Sequence, residues 1–382
     1  MRKRPNRLER LPEQYFARLL DRVAAAAAAE GEPLVDLGRG NPETGPPAHV
    51  VEALAEAARR PEAHGYPPFR GLPELKEAIA GRYRAVYGVE LDPEREVAVV
   101  PGTKTAIVEL ALCLAEEDET ILVADPGYPD YRSGVALADA RHAPLPLDPD
   151  AGFAPNFDAA PWNDVAAVYL NYPSNPCAAA APAGAFEEAV RFAAATGAAI
   201  VHDFAYGDLV FDGRRPESFL AAEGAKDVGV EMFSMSKSYG MAGWRLGFVV
   251  GNAEMVARVE LLQDHARAGI FRPVQEAGIA ALSGPQESVE ARCAAYERRR
   301  DAVAAALGPE ARSEGTFFVW WRLPEGRTAE RLLLEERVAV APGEGFGAGG
   351  DGWVRLSLAV ADETLQLGLE RLQRALTRAG LR

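Results

Sequence analysis

The sequence predicts an α/β fold in which a large domain, with a mostly parallel sheet flanked by helices, is joined to a smaller α+β domain. Three observations carry this reading. Between residues 96 and 250 short apolar runs alternate with helical patterns, as they do when crossover helices join parallel strands. Beyond residue 285 the texture changes to a long helix and then short strands interrupted by one short helix. The length of 382 residues, with 48% hydrophobic content, is also more than a single core usually holds.

Residues 1–40 carry one helical pattern and then "LVDLGRGNPETGPP", whose Gly and Pro density marks an ordered linker. They are read as an N-terminal arm and part of the small domain, with 41–284 as the large domain and 285–382 as the small C-terminal domain. In the large domain "EVAVV" leads into a helix from Thr103, "TILVA" into a helix near Tyr128, and "VAAVYL" into a helix from Ala185. The strands "AAIVHD", "VEMFSM" and "LGFVV" complete the series. In the small domain the helix containing "YERRRDAVAAAL" precedes "TFFVWWRL", a short helix, "RVAVAPG", "WVRLSL" and a final helix from Asp362.

Composition excludes several functions. With 41 basic and 56 acidic residues the net charge is -15, which repels nucleic acid and anionic membranes. No basic block is longer than "RKR", and no apolar run reaches about 18 residues, the length of a membrane span. The run Ala24 to Ala29 is flanked by charges and reads as a helix end, not as the apolar core of a signal peptide. The three cysteines, Cys113, Cys177 and Cys293, match neither a disulfide framework nor a metal cluster and point to a reducing, cytoplasmic setting.

The chemistry concentrates in "FSMSKSYGMAGWRLGF", residues 233–248. A lysine after a strand end is ordinarily a surface solubiliser, but Ser234, Ser236 and Arg245 surround Lys237 with two hydroxyls and a guanidinium, a set suited to a phosphate dianion. The S-x-x-K spacing also occurs in serine acyl-transferases, yet the S-D-N and K-T-G companions are missing downstream. "GEGFGA" at Gly343 imitates a dinucleotide fingerprint but leads into a strand, not a helix. Gly102, Thr103 and Lys104 open a helix after a strand, where backbone N–H groups bind anions. Asp203 ends an apolar strand, where open α/β sheets form their ligand crevice, and Tyr206 follows three residues later.

These segments resemble those of fold-type I pyridoxal-phosphate-dependent aminotransferases of the class I/II family. "SMSKSYGMAGWRLGF" is similar to the family's cofactor-lysine signature, and "GRGNPE", "YPPFRGLPELKEAIA", "DPGYPDY", "NYPSNP" and "APGEGFG" before "VRLSL" follow in family order. The resemblance implies that Lys237 bonds the cofactor covalently and shuttles the substrate's α-proton. It implies that Asp203 pairs with the pyridine nitrogen, that Asn175 and Tyr206 bond the ring oxygen, and that Tyr128 stacks on the ring. Thr103, Lys104, Ser234, Ser236 and Arg245 form the phosphate cup. Arg355 grips the substrate α-carboxylate, with Gly40 and Asn175 beside it. Tyr66 matches a tyrosine that reaches the phosphate of a neighbouring subunit, which implies a homodimer with shared sites. No metal is implied.

The chain departs from the family pattern after Asn175, where Cys177 and Ala178 stand in place of Thr-Gly and put the turn geometry in question. Cys177 reads as a small buried residue, not a nucleophile. His202 is either a tuner of Asp203 or a strand residue facing the far side of the sheet. Tyr15 and Trp320 are candidates for the pocket wall. Within the family the motifs most resemble the branch of methionine-salvage glutamine-dependent and LL-diaminopimelate-type enzymes. Methionine and its 2-oxo acid, with glutamine as donor, are the leading substrates, and alanine, aromatic and branched-chain amino acids remain open. A β-lyase could use the same apparatus. A regulator that senses the cofactor would need a DNA-binding domain, for which the residues before "NPETGPP" are too few.

Overall fold

In the computed structural model, which describes residues 4–378, the apolar runs of the first part of the chain assemble into one eight-stranded sheet. Its order is Val97–Val100, Gly247–Gly251, Gly229–Ser234, Ala199–Asp203, Val165–Asn171, Thr120–Asp125, Arg141–Asp148 and Ala154–Pro155. The five strands from Gly229–Ser234 to Arg141–Asp148 run parallel, as crossover helices require. Gly247–Gly251 opposes both of its neighbours, and Ala154–Pro155 opposes the strand beside it. The sheet is therefore mixed.

Alternation along the strands sends Ala98, Val100, Val123, Val201 and Met232 to one face and Val97, Val99, Leu122, Ile200 and Phe233 to the other. Both faces are apolar because helices cover both. Thr103–Leu114 and Ala253–Ala266 pack on the first face, and Ala185–Thr196 and Arg272–Ser283 on the second. Arg141–Asp148 escaped the sequence reading because Pro144 and Pro146 argue against a strand. It tolerates them near the sheet edge, where its outer side is paired only at Leu147 and Asp148.

This topology positions the site. Val97–Val100 is separated from Gly229–Ser234 by one antiparallel strand, so its carboxyl end reaches the same edge as those of the parallel strands. Asn171, Asp203, Ser234 and the turn into Thr103 emerge there together, at the edge where such sheets bind ligands.

Beyond residue 285, helices Glu287–Leu307 and Asp362–Arg378 pack on a second sheet, all antiparallel, in the order Ala311–Arg312, Phe318–Arg322, Trp353–Ser357 and Ala341–Pro342. Val303, Leu307, Val319, Trp321, Leu356 and Leu372 share its core. The N-terminal arm joins this unit, since Val35–Asp36 pairs in parallel with Val338–Ala339. Helix Tyr15–Ala28 touches both units: Leu19 and Val23 cluster with Ala124 of the large sheet, Trp320 of the small sheet and Leu333 of helix Ala329–Glu335. Among the described residues, no helix is long and apolar enough to cross a membrane.

Candidate active site

All the cofactor and α-carboxylate residues named from the sequence except Tyr66 line one cavity of about 640 Å³. Tyr66 stands 86% exposed on its loop, away from this cavity.

Lys237 sits on the single turn Met235–Ser238 that follows strand Gly229–Ser234, and the Ser234 hydroxyl caps that turn by accepting the Ser236 N–H at 3.2 Å. The Lys237 amine lies 5.2 Å from the centre of the Phe317 ring and 5.8 Å from that of Tyr206. Burial, helped by the nearby Arg355 charge, pulls it down to about 8. A lysine so placed is partly neutral near physiological pH and able to act as a nucleophile and a base.

Asp203 ends strand Ala199–Asp203 and is 6% exposed. Its Oδ1 accepts the Ala205 N–H at 3.1 Å and its Oδ2 accepts the Tyr131 hydroxyl at 2.9 Å. Burial raises this carboxyl above the usual range, while the bonds from Tyr131 and Ala205 pull the other way. The preceding residue points to the opposite face. Fully buried His202 bonds Glu231 through Nδ1 at 2.8 Å, so the alternation of strand side chains takes it out of the site.

Arg355 is 1% exposed, and among the described residues its hydrogen bonds go to an amide and a backbone carbonyl, not to a carboxylate. Its Nη1 donates to Asn175 Oδ1 at 2.6 Å and its Nη2 to the Gly38 carbonyl at 3.3 Å. Rings of Phe318, Phe346 and Phe16 lie 3.8, 4.9 and 5.4 Å from the guanidinium carbon. Burial lowers the group to about 10, and Nε has no hydrogen-bond partner. A buried cation held by aromatic faces, with three of its five N–H groups unused, can take an incoming anion. Gly40 belongs to the same wall, since a side chain there would press on Phe318 and approach Arg355 Nη2.

At the opening of helix Thr103–Leu114, Gly102 has φ +83°, and a Cβ on it would strike the Arg245 guanidinium. Arg245 itself takes φ +56° and is braced by the Ala242 carbonyl at 2.9 Å. The Lys104 amine turns to Asp130 at 2.8 Å, leaving its backbone N–H at the helix N-terminus. The turn after Asn175 closes without the usual Thr-Gly. Ala178 adopts φ +54°, donates its N–H to the Ser174 carbonyl at 2.8 Å and accepts Glu314 N–H at 2.7 Å. Cys177 is 1% exposed and burial pushes its thiol up, so it is a packing residue.

Other contributors were not named from the sequence. Asn171 donates to the Asp203 carbonyl at 2.7 Å and accepts the Asn175 N–H at 2.7 Å, stitching two strand ends together. Phe16, Leu19, Leu20 and Val23 bring one face of helix Tyr15–Ala28 to the cavity. Their spacing was readable as an amphipathic face, but not which surface it covers. Tyr15 and Trp320 do not line the cavity. The Tyr15 hydroxyl donates to the Pro342 carbonyl at 2.7 Å, and Trp320 is fully buried, stacked on Trp353 at 5.6 Å.

The donor set fits pyridoxal phosphate. Thr103, Ser234, Ser236 and Arg245 offer hydroxyls, a helix N-terminus and a guanidinium for the phosphate. Asp203 offers a carboxylate for a protonated ring nitrogen, and Lys237 a nucleophilic amine. Among the described residues no cluster of His, Cys, Asp and Glu could hold a metal ion.

Fold and site together define a fold-type I pyridoxal-phosphate enzyme. The match of residues 32–372 to the model for aminotransferase class I and II shows that the chain belongs to that family, and it is a pyridoxal-phosphate-dependent aminotransferase. It is 46% identical over 376 residues to the L-glutamine–4-(methylsulfanyl)-2-oxobutanoate aminotransferase of Bacillus subtilis, covering 96% of this chain and 94% of that one. To the LL-diaminopimelate aminotransferase of Moorella thermoacetica it is 39% identical over 382 residues, covering 97% of each. The apo-BacF structure from Bacillus subtilis superposes with a TM-score of 0.92 at 38% identity, covering 98% of both chains.

Proposed function

We propose that this aminotransferase exchanges the amino group between glutamine and the 2-oxo acid of methionine, 4-methylthio-2-oxobutanoate. One observation favours a thioether side chain: the wall contributed by helix Tyr15–Ala28 is apolar, with Phe16, Leu19, Leu20 and Val23. The lining charges outside the cofactor and α-carboxylate sets, Asp36 and Arg39, are bonded to each other at 2.5 Å. Among the described residues, no unpaired cation lines that wall to receive a second carboxylate. The 46% identical relative, whose name carries this substrate, supports the same reading. A second reading, LL-diaminopimelate, rests on the Asp36–Arg39 pair opening to embrace a zwitterionic end. A panel of amino donors against 2-oxo acids decides. Highest kcat/KM for glutamine with the methionine oxo acid is the expected result, and a preference for diaminopimelate or an aromatic substrate contradicts it. Ammonia release in place of amino transfer would identify a β-lyase.

Bound in this cavity, pyridoxal phosphate supplies the aldehyde that receives the amino group and the electron-poor ring that stabilises charge at the substrate α-carbon. Lys237 bonds the cofactor and carries the α-proton on Nζ. Asp203 holds a proton on the ring nitrogen, while Tyr206 and Asn175 donate to the ring oxygen. Tyr128, which lines the cavity, would stack on the ring. Ser234, Ser236, Arg245, Thr103 and the Lys104 N–H bind the phosphate, and Arg355 with Gly40 orients the substrate carboxylate. The division at residues 40 and 284 into arm, large domain and small domain follows from the same reading.

The enzyme acts as a homodimer with shared sites. The loop bearing Tyr66 packs beside residues 260–271, with His64 against the Phe271 ring at 5.9 Å and Arg70 bonded to Asp264. Tyr66, Phe69, Leu261 and Phe271 there are 86, 46, 57 and 47% exposed, an apolar patch of the kind that oligomers cover. Heterodimers of Lys237→Ala and Tyr66→Phe chains should contain one intact site with wild-type cofactor affinity. Only weakened affinity in those heterodimers contradicts sharing. Free Cys113, Cys177 and Cys293 support a cytoplasmic location.

A further inference from the structure

The Asp203 carboxylate is held at both oxygens, and one of the two holders lies far from it in sequence. Tyr131, in helix Asp130–Leu137, reaches across the sheet edge to donate its hydroxyl to Oδ2 at 2.9 Å. Backbone Ala205 holds Oδ1 at 3.1 Å. With both oxygens tied, the carboxylate plane cannot rotate, and each oxygen keeps a lone pair for another donor. The phenol is itself fixed. Tyr131 is 1% exposed, and its ring is packed edge-on by Tyr128 at 5.5 Å and flanked by Tyr169 at 5.4 Å. Tyr169 is anchored in turn, its hydroxyl donating to the Ile107 carbonyl at 2.9 Å.

We propose that Tyr131 is a positioning residue, which fixes the Asp203 carboxylate in the orientation that meets the cofactor's ring nitrogen. The chemistry favours this over a packing role. A phenol donating to a carboxylate stabilises the ionised form, which burial at this position opposes. A phenylalanine would fill the same space without that bond. Tyr131 borders the same cavity as Tyr128, but its hydroxyl is committed to Asp203, and it acts through that residue. The inference rests on the reading of Asp203 as the ring-nitrogen partner, and its test separates the two.

The experiment compares cofactor dissociation constants of wild type, Tyr131→Phe, Asp203→Ala and Tyr169→Phe. Each is measured with pyridoxal phosphate and with its 1-deaza analogue, in which carbon replaces the ring nitrogen. Tyr131→Phe should weaken pyridoxal phosphate binding about tenfold, the scale of one hydrogen bond to a charged group. It should leave the deaza analogue within about twofold of wild type, because that ligand makes no bond to Asp203. Tyr169→Phe should not discriminate between the two ligands. In steady state, Tyr131→Phe should lower kcat while KM for both substrates changes little. If Asp203→Ala discriminates between the ligands and Tyr131→Phe does not, Tyr131 is a packing residue and the proposal fails alone. If Asp203→Ala does not discriminate either, the assignment of Asp203 fails and this inference goes with it.

Discussion

Arg355 Nη1 donates to Asn175 Oδ1 at 2.6 Å, joining the small sheet to a turn of the large domain 180 residues away in sequence. That bond and the one to Gly38 use one hydrogen on each Nη and leave the second on each for a ligand, and the Phe318 ring at 3.8 Å fixes the guanidinium plane.

The first prediction follows from that arrangement. Arg355→Lys replaces a planar fork with a point charge that cannot make two parallel bonds to a carboxylate. KM should rise for amino donor and 2-oxo acid alike, with kcat/KM falling at least about tenfold for each, since both carry the same carboxylate. Steady-state kinetics varying each substrate in turn provide the check. A defect confined to one of the two would mean that Arg355 reads a side chain.

The second concerns the stability of the cofactor-free protein. The Lys237 amine lies at about 8, against 10.5 for a free lysine, chiefly through burial. Between those values the unfolded chain binds more protons than the folded one, so this group's contribution to stability rises with pH from about 8 to 10.5. Below about 8 its full penalty is present. Lys237→Met should therefore stabilise the cofactor-free protein at pH 7 by about 1–2 kcal/mol, allowing for screening at a half-buried amine. The gain should shrink toward pH 10.5. Urea unfolding of both proteins at pH 7 and 10 measures it, and equal stability at pH 7 contradicts it.

The third tests the side-chain pocket. Leu20 lines the cavity yet is 47% exposed, so a charge there threatens binding more than folding. Leu20→Asp should lower kcat/KM for the methionine oxo acid relative to alanine's by about tenfold, because a thioether cannot compensate a desolvated carboxylate. Unchanged relative rates would remove helix Tyr15–Ala28 from specificity.

What could be read from the sequence depended on where a residue sits on its element. Asp203, Ser234 and Thr103 were legible because each closes or directly follows an apolar strand, and strand ends of such a sheet gather at one edge. Ser234, Ser236, Lys237 and Arg245 were also legible because they fall within twelve positions of one segment. Tyr131 was hidden although it lies three residues after Tyr128, because nothing local distinguishes a core tyrosine from one aimed at a carboxylate 72 positions away. Phe16, Leu19, Leu20 and Val23 have the periodicity of any amphipathic helix. The prolines of Arg141–Asp148 concealed a strand by contradicting the local preference that tertiary packing overrode.

The central claim is that Lys237, one of five lysines in the chain, is the residue that bonds the cofactor. Borohydride reduction of the yellow holoenzyme, followed by proteolysis and mass spectrometry of the pyridoxyl-bearing peptide, tests it most directly. The account predicts a single modified lysine, Lys237, within "SMSKSYGMAGWR", and a Lys237→Ala protein that binds cofactor only reversibly and does not transaminate. Label fixed on Lys104 or another lysine, or wild-type turnover by Lys237→Ala, would contradict it.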